Sequence, residues 1–205
     1  MVAFANSMAT VGDGAFLETL GSWVDLPTLW ATLAVDRAIN DWDGMSGFYC
    51  WGDSSFCYNH NYYWYEETGR DRFWLVPWDM DLTFDLASPW QTCCGAPGYC
   101  EPVSSCDPVP VSEYAAVLPA ICDPLFGRMS TLGYDDWSDA ARELLDGSMS
   151  LAQVESTLST WEAQIQPFVE EDPNGPGLDI WLWEISYLRE NIAALHGRLE
   201  QEVAR

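Results

Sequence analysis

The chain contains no lysine. Its basic residues are eight arginines, set against 32 aspartates and glutamates, so that 205 residues carry a net charge of −24. That balance excludes nucleic acid and anionic membrane surfaces as partners, because both are bound through a basic footprint. It suits a secreted or salt-exposed protein, or one that holds hard cations. Histidine is almost as scarce. His60 and His196 stand too far apart in the chain to suggest a histidine metal centre, and no Ser/His/Asp or Cys/His set suggests itself. No run approaches the ~20 apolar residues of a membrane span. The first 20 residues lack both the basic start and the unbroken apolar core of a signal peptide. An export signal, if the protein has one, is expected upstream of this sequence.

What is present is apolar and aromatic. Hydrophobic residues make up 48% of the chain and aromatics 14%, with 12 tryptophans, so a folded core is expected rather than disorder. Seven cysteines are unevenly placed: Cys50 and Cys57 bracket a short loop, Cys93, Cys94, Cys100 and Cys106 crowd one Gly/Pro-rich stretch, and Cys122 follows. The spacing lacks the paired C-x2-C knuckles of zinc sites, which favours disulfides in an oxidising, extracytoplasmic compartment over a metal. The odd count leaves one thiol free or paired outside the chain.

Periodicity gives the expected elements. Asp25 and Pro27 form a helix start, and Leu26, Leu29, Trp30, Leu33 and Ala34 fall on one buried face. The helix should stop near Asn40 and deliver Asp41 and Asp43 into a turn. Residues 61–65 and 73–76 read as aromatic strands of a hairpin around Gly69. Residues 86–112 read as a Cys-rich loop. In the C-terminal part, a helix is expected over 138–145, then two core-packed helices joined by the turn 172–177. The first of these opens with a capping box at Ser150–Gln153 and is kinked or ended by Pro167.

Three segments in order carry the chemistry: Asp41-Trp42-Asp43-Gly44, Asn61-Tyr62-Tyr63, and Pro77-Trp78-Asp79-Met80-Asp81. They resemble the CotH kinase family, the spore-coat-protein-H-like atypical protein kinases, which pair an N-W-D-G segment with N-Y-Y and P-W-D-x-D. The likeness extends over roughly residues 20–200, its specific motifs over 41–85. It implies an α+β, mainly helical fold: a protein-kinase-like C-terminal lobe with a small aromatic hairpin and a C-terminal helical hairpin. Residues 20–85 would form the catalytic part, 86–112 the Cys-rich loop and 113–205 the helical part.

The resemblance further implies transfer of the γ-phosphoryl of ATP to Ser or Thr hydroxyls of a protein substrate, with Mg2+ or Mn2+. Such transfer needs a carboxylate at the attacking hydroxyl and an Asn/Asp pair on the metal. By position Asp43 would be the catalytic carboxylate, Asn61 and Asp79 metal ligands, and Asp81 a further ligand. Asn59 is the alternative to Asn61. Two departures stand out. Residues 45–60 are inserted between Asp43 and Asn61, an excursion that a Cys50–Cys57 bridge could tie off. Asp41 stands where the family often has Asn, which crowds negative charge around Asp43. The family's phosphate-pairing lysine and nucleotide-covering lobe are expected upstream, and without them the present stretch is expected to bind ATP weakly and turn over poorly. The rival reading is a non-catalytic surface or coat protein that retains the lobe and binds Ca2+ structurally. Oligomeric state is not legible.

Overall fold

A computed structural model describes residues 1–51, 57–86, 105–110, 113 and 115–204. Cys93, Cys94 and Cys100, and most of the expected loop 86–112, lie outside them. The described residues form a mixed α+β fold that is mainly helical. Helices α1 (Val2–Thr10) and α2 (Phe16–Trp23) precede α3 (Leu26–Ile39). Strands β1 (Phe48–Trp51), β2 (Cys57–Tyr58), β3 (Tyr62–Glu67), β4 (Arg72–Pro77), β5 (Val109–Pro110) and β6 (Ala115–Leu118) follow. Then come α4 (Phe126–Leu132), α5 (Tyr134–Asp146), α6 (Leu151–Glu171) and α7 (Leu178–Val203).

Helix α3 is the central element, and its start is written in three residues. The Asp25 carboxylate accepts from the Thr28 N–H (3.1 Å) and the Thr28 hydroxyl (2.8 Å), with Pro27 in the first turn. Its apolar face buries Leu29, Trp30, Leu33 and Ala34. These join Phe16 and Leu20 of α2, Phe73 of β4, Trp137 of α5 and Leu199 of α7 in one core. A buried ion pair locks α3 to the end of α7. Arg37 Nε donates to Glu202 Oε2 at 2.8 Å and Nη2 to Oε1, with both side chains almost wholly enclosed.

The hairpin β3–β4 is antiparallel, pairing Tyr62 with Pro77 and Glu67 with Arg72. Its inner face puts Tyr62, Trp64, Phe73 and Leu75 on the core, while Tyr63, Tyr65 and Val76 face outward. The inserted stretch is more than an excursion. It supplies β1, an inner strand of a four-stranded antiparallel sheet in the order β2-β1-β6-β5. A Cys50–Cys57 disulfide crosses β1 and β2, and Cys106–Cys122 ties the β5 side to the turn before α4. Part of the expected loop is therefore strand, with Pro110 tolerated because β5 is an edge. Both bridges suit an oxidising compartment. Among the described residues no helix is long and apolar enough to cross a membrane.

Two expectations for the C-terminal helices, the capping box and the core packing, need correction. The helix at 138–145 is there, as α5. Ser150 does stand at the N-cap of α6, but its side chain makes no capping bond. Helix α6 runs through Pro167 to Glu171; this end is exposed, so water can meet the carbonyl that Pro167 leaves without a donor. Core packing also fails for much of the pair: α6 has no buried residue, and the buried positions of α7 begin only at Asn191. The outer half of the hairpin stands away from the body. There Val154 and Leu158 of α6 and Trp181, Ile185 and Leu188 of α7 are half-buried, and Arg189 links α7 to Glu155 and Glu162 (3.0 and 2.6 Å). Trp161, Phe168 and Trp183 remain more than half exposed.

The two kinds of ion pair predict different costs. Replacing Glu202 by Gln leaves the Arg37 charge buried against a neutral partner and should cost about 3–5 kcal/mol. Replacing Arg189 by Gln should cost less, on the order of 1 kcal/mol, because Glu155 is more than half exposed and neither partner is fully buried. Chemical denaturation of the two variants measures both, and equal losses would contradict the fold described.

Candidate functional site

The end of α3 builds the site. Asn40 adopts a left-handed conformation (φ 52°). Its N–H bonds back to the Arg37 carbonyl (3.3 Å) and the Asp41 N–H to the Asp36 carbonyl (3.1 Å). This is a Schellman cap with asparagine in the position glycine usually takes, which asparagine tolerates better than most residues. The chain leaves the helix at a fixed angle, with Asp41 buried and Asp43 half-buried in the next turn. Tyr49 of β1 holds that turn by donating to the Trp42 carbonyl at 2.8 Å.

Asn61, eighteen residues after Asp43, returns to it. Its Nδ2 donates to Asp43 Oδ2 at 2.9 Å. Asn61 is itself left-handed (φ 55°), and its carbonyl accepts the Trp78 N–H at 2.9 Å, which anchors the segment leading into Asp79. Asp79 is left-handed as well (φ 55°). Beyond Asp81 the chain doubles back to the end of α3: the Phe84 N–H bonds the Ile39 carbonyl (2.7 Å), and Asn40 Nδ2 donates to the Asp85 carbonyl (3.2 Å). Phe84 is also left-handed (φ 58°), a costly conformation for a bulky side chain, so four strained residues gather here. The alternative ligand Asn59 has structural work instead, donating to the Met45 carbonyl (2.5 Å) and accepting from Tyr62 (2.9 Å).

Asp43 and Asn61 are thus in contact. Asp79 and Asp81 are exposed and lie close enough for their charges to act on Asp41, but no hydrogen bond joins either to Asn61. Among the described residues no three His, Cys, Asp or Glu side chains are gathered at metal-holding separation. The donor set is nevertheless oxygen-only, and it includes buried oxygens with no hydrogen-bond partner: Oδ1 of Asp36, of Asn40 and of Asp41. Such a set suits a hard divalent cation. The pKa of Asp41 is pushed up to about 7, first by burial and then by Asp43, Asp81 and Asp79.

Asp36 is the residue the sequence reading missed. It lies on α3, 4% exposed, accepting from Ser46 Oγ at 2.7 Å; burial and then Asp41 raise its pKa to about 7. Its signal was a charge three residues beyond Leu33, inside an apolar stripe. Gly44 lies between the two carboxyls. A Cβ there would fall 2.4 Å from Asp41 Oδ2 and 2.9 Å from Asp36 Oδ1, so the turn admits only glycine without displacement.

The site thus combines an Asp-x-Asp-Gly turn closed by Asn61 with an Asp-x-Asp segment at the end of a hairpin, the segments that resemble the CotH kinase family. The chain belongs to it: the family described as CotH kinase protein matches residues 1–106, just over half of the sequence. No curated protein matches the chain.

The raised pKa of Asp36 predicts how stability depends on pH. Its folded value of about 7 lies above an unfolded value near 3.8, so the folded state holds a proton that the unfolded state releases. The stability this gives is complete below pH ~4 and is lost as pH rises to about 7, on the order of 4 kcal/mol. Asp36→Asn, which cannot ionise, should give a flatter stability profile than the wild type between pH 5 and 8. Thermal melts across that range would show it; parallel profiles would mean that Asp36 is ionised in the fold.

Proposed function

We propose that the protein is a CotH-type protein kinase domain, built as a kinase-like C-terminal lobe, that transfers the γ-phosphoryl of ATP to Ser or Thr hydroxyls of a protein substrate outside the cytoplasm. The observation that carries this reading is the 2.9 Å bond from Asn61 to Asp43 across the insertion. It joins a carboxylate and an amide that phosphoryl transfer needs side by side, in a chain that belongs to a family described as kinases.

In this reading Asp43 orients the attacking hydroxyl and accepts its proton. The Asn61 amide holds that carboxylate in place, while its carbonyl oxygen, the other end of the same amide, is left to face a cation. Asp79 and Asp81 supply the remaining anionic oxygens for Mg2+ or Mn2+. The cation, when bound, would neutralise charge on the phosphates. Trp78 and Tyr63 stack on each other at 5.9 Å and stay 47% and 59% exposed. Trp78 directly precedes Asp79 and Tyr63 stands two residues after Asn61, so together they offer an aromatic surface on which a nucleobase can lie.

Calorimetric titration of the full-length protein with ATP tests the reading. Binding should require Mg2+ or Mn2+ and be lost in Asp79→Ala. Asp43→Asn should keep binding but lose about 100-fold or more of phosphoryl transfer to a protein substrate. Nucleotide binding indifferent to the metal and to Asp79 would overturn the assignment.

A further inference from the structure

Helix α3 has a second, outward face that the site does not use. Pro27, Ala31 and Val35 stand in line on it, at i, i+4 and i+8, and all three are exposed. A groove runs along each side of this ridge. One, of about 540 Å³, lies between the ridge and the end of β4 and is walled by Ile39, Pro77 and Met80. The other, of about 790 Å³, lies between α3 and α5 over Leu26, Trp30 and Leu144. A narrow ridge of small side chains between two grooves is the relief onto which another helix packs, ridge into groove. Pro27 to Val35 spans roughly 12 Å, enough to seat about two turns of a partner helix.

The chemistry of the surroundings specifies the partner. On α5, Asp136, Asp139 and Glu143 line the second groove at i, i+3 and i+7, and all three are exposed. Arg142 of the same helix bonds Asp139 at 2.7 Å. At the far end of the first groove lie Asp36 and Asp41, each with a buried carboxyl oxygen that has no hydrogen-bond partner. Trp30, beneath the second groove, has an indole N–H with no acceptor. A second copy of this chain cannot supply the complementary charge. It has no lysine, it brings another −24, and six of its seven described arginines already hold a carboxylate of their own chain.

We infer that this face of α3 docks an amphipathic, basic helix of a different protein. An apolar stripe of that helix lies along Pro27, Ala31 and Val35, and its Lys or Arg residues meet the acidic rim of α5. This is the helix-in-groove mode of recognition with charge as the selecting element. The inference does not depend on phosphoryl transfer. Because the first groove ends at Pro77 and Met80, a docked helix would press on the segment that carries Asp79.

The test uses fluorescence anisotropy of a labelled model helix of about 20 residues, with leucines on one face and lysines flanking them. Two controls share its length: one has glutamate in place of lysine, the other has the same composition in scrambled order. The lysine helix should bind, weaken about tenfold in Ala31→Arg, and lose most of its salt dependence when Asp136, Asp139 and Glu143 are replaced together by Asn, Asn and Gln. All these positions are exposed, and unchanged melting temperatures would show that the variants fold. Equal binding of the scrambled peptide would overturn the inference, since attraction to the net charge alone would explain it. So would indifference to Ala31→Arg, or a homodimer in sedimentation that this substitution dissolves.

Discussion

The left-handed turn at Asn40 is the constraint on which the site depends. A helix that ran one residue further would rotate Asp41 and Asp43 by about 100° and carry them off their neighbours. The two cap hydrogen bonds from Asn40 and Asp41 set where the chain leaves. Everything acidic is then arranged around that exit: Asp36 beneath it, Asn61 closing on Asp43, and the chain after Asp81 returning to the last carbonyl of the helix. The helix itself is held by an ion pair, Arg37 to Glu202, made 165 residues apart. The position of the candidate catalytic turn is thus secured from the far end of the sequence.

This arrangement concentrates cost. Carboxyls are buried with oxygens lacking partners, four residues near the site take a conformation that L side chains avoid, and Gly44 leaves no room for a methyl group. Each is unfavourable alone, and together they mark where the fold has been shaped for something other than stability. The outer half of the α6–α7 hairpin contrasts with this. Trp161, Phe168 and Trp183 are exposed there, and none of the α6 side chains is fully buried.

Much of this was legible in the sequence because local rules governed it. The Asp25-Leu26-Pro27 start, the stop at Asn40 and the aromatic hairpin all follow from capping chemistry and alternation. What local rules do not encode was missed. Residues 45–60 look like an insertion to be tied off, yet β1 pairs with β6 some sixty-five residues later, and no short-range pattern announces that pairing. Asp36 was overlooked because a single charge in an apolar stripe looks like noise until the stripe is known to be buried. The α6 and α7 stripes read as core because periodicity reports amphipathicity and not what the apolar face meets. Convergence of Asp43 with Asn61 followed the motif order; where Asp79 and Asp81 sit relative to them depends on left-handed turns that composition alone does not specify.

The pairing of β1 with β6 bears on the order in which the protein can acquire its shape. Residues 48–51 emerge from the ribosome long before 115–118, and until the later segment arrives an inner strand is an open edge. Such an edge is prone to pair with whatever strand is nearest, and closing so long a loop is slow. The family match ends at residue 106, nine residues before the partner strand begins. A boundary drawn there would keep every proposed site residue and still leave one edge of β1 open, with only β2 beside it. The minimal folding unit is therefore longer than the stretch that carries the chemistry.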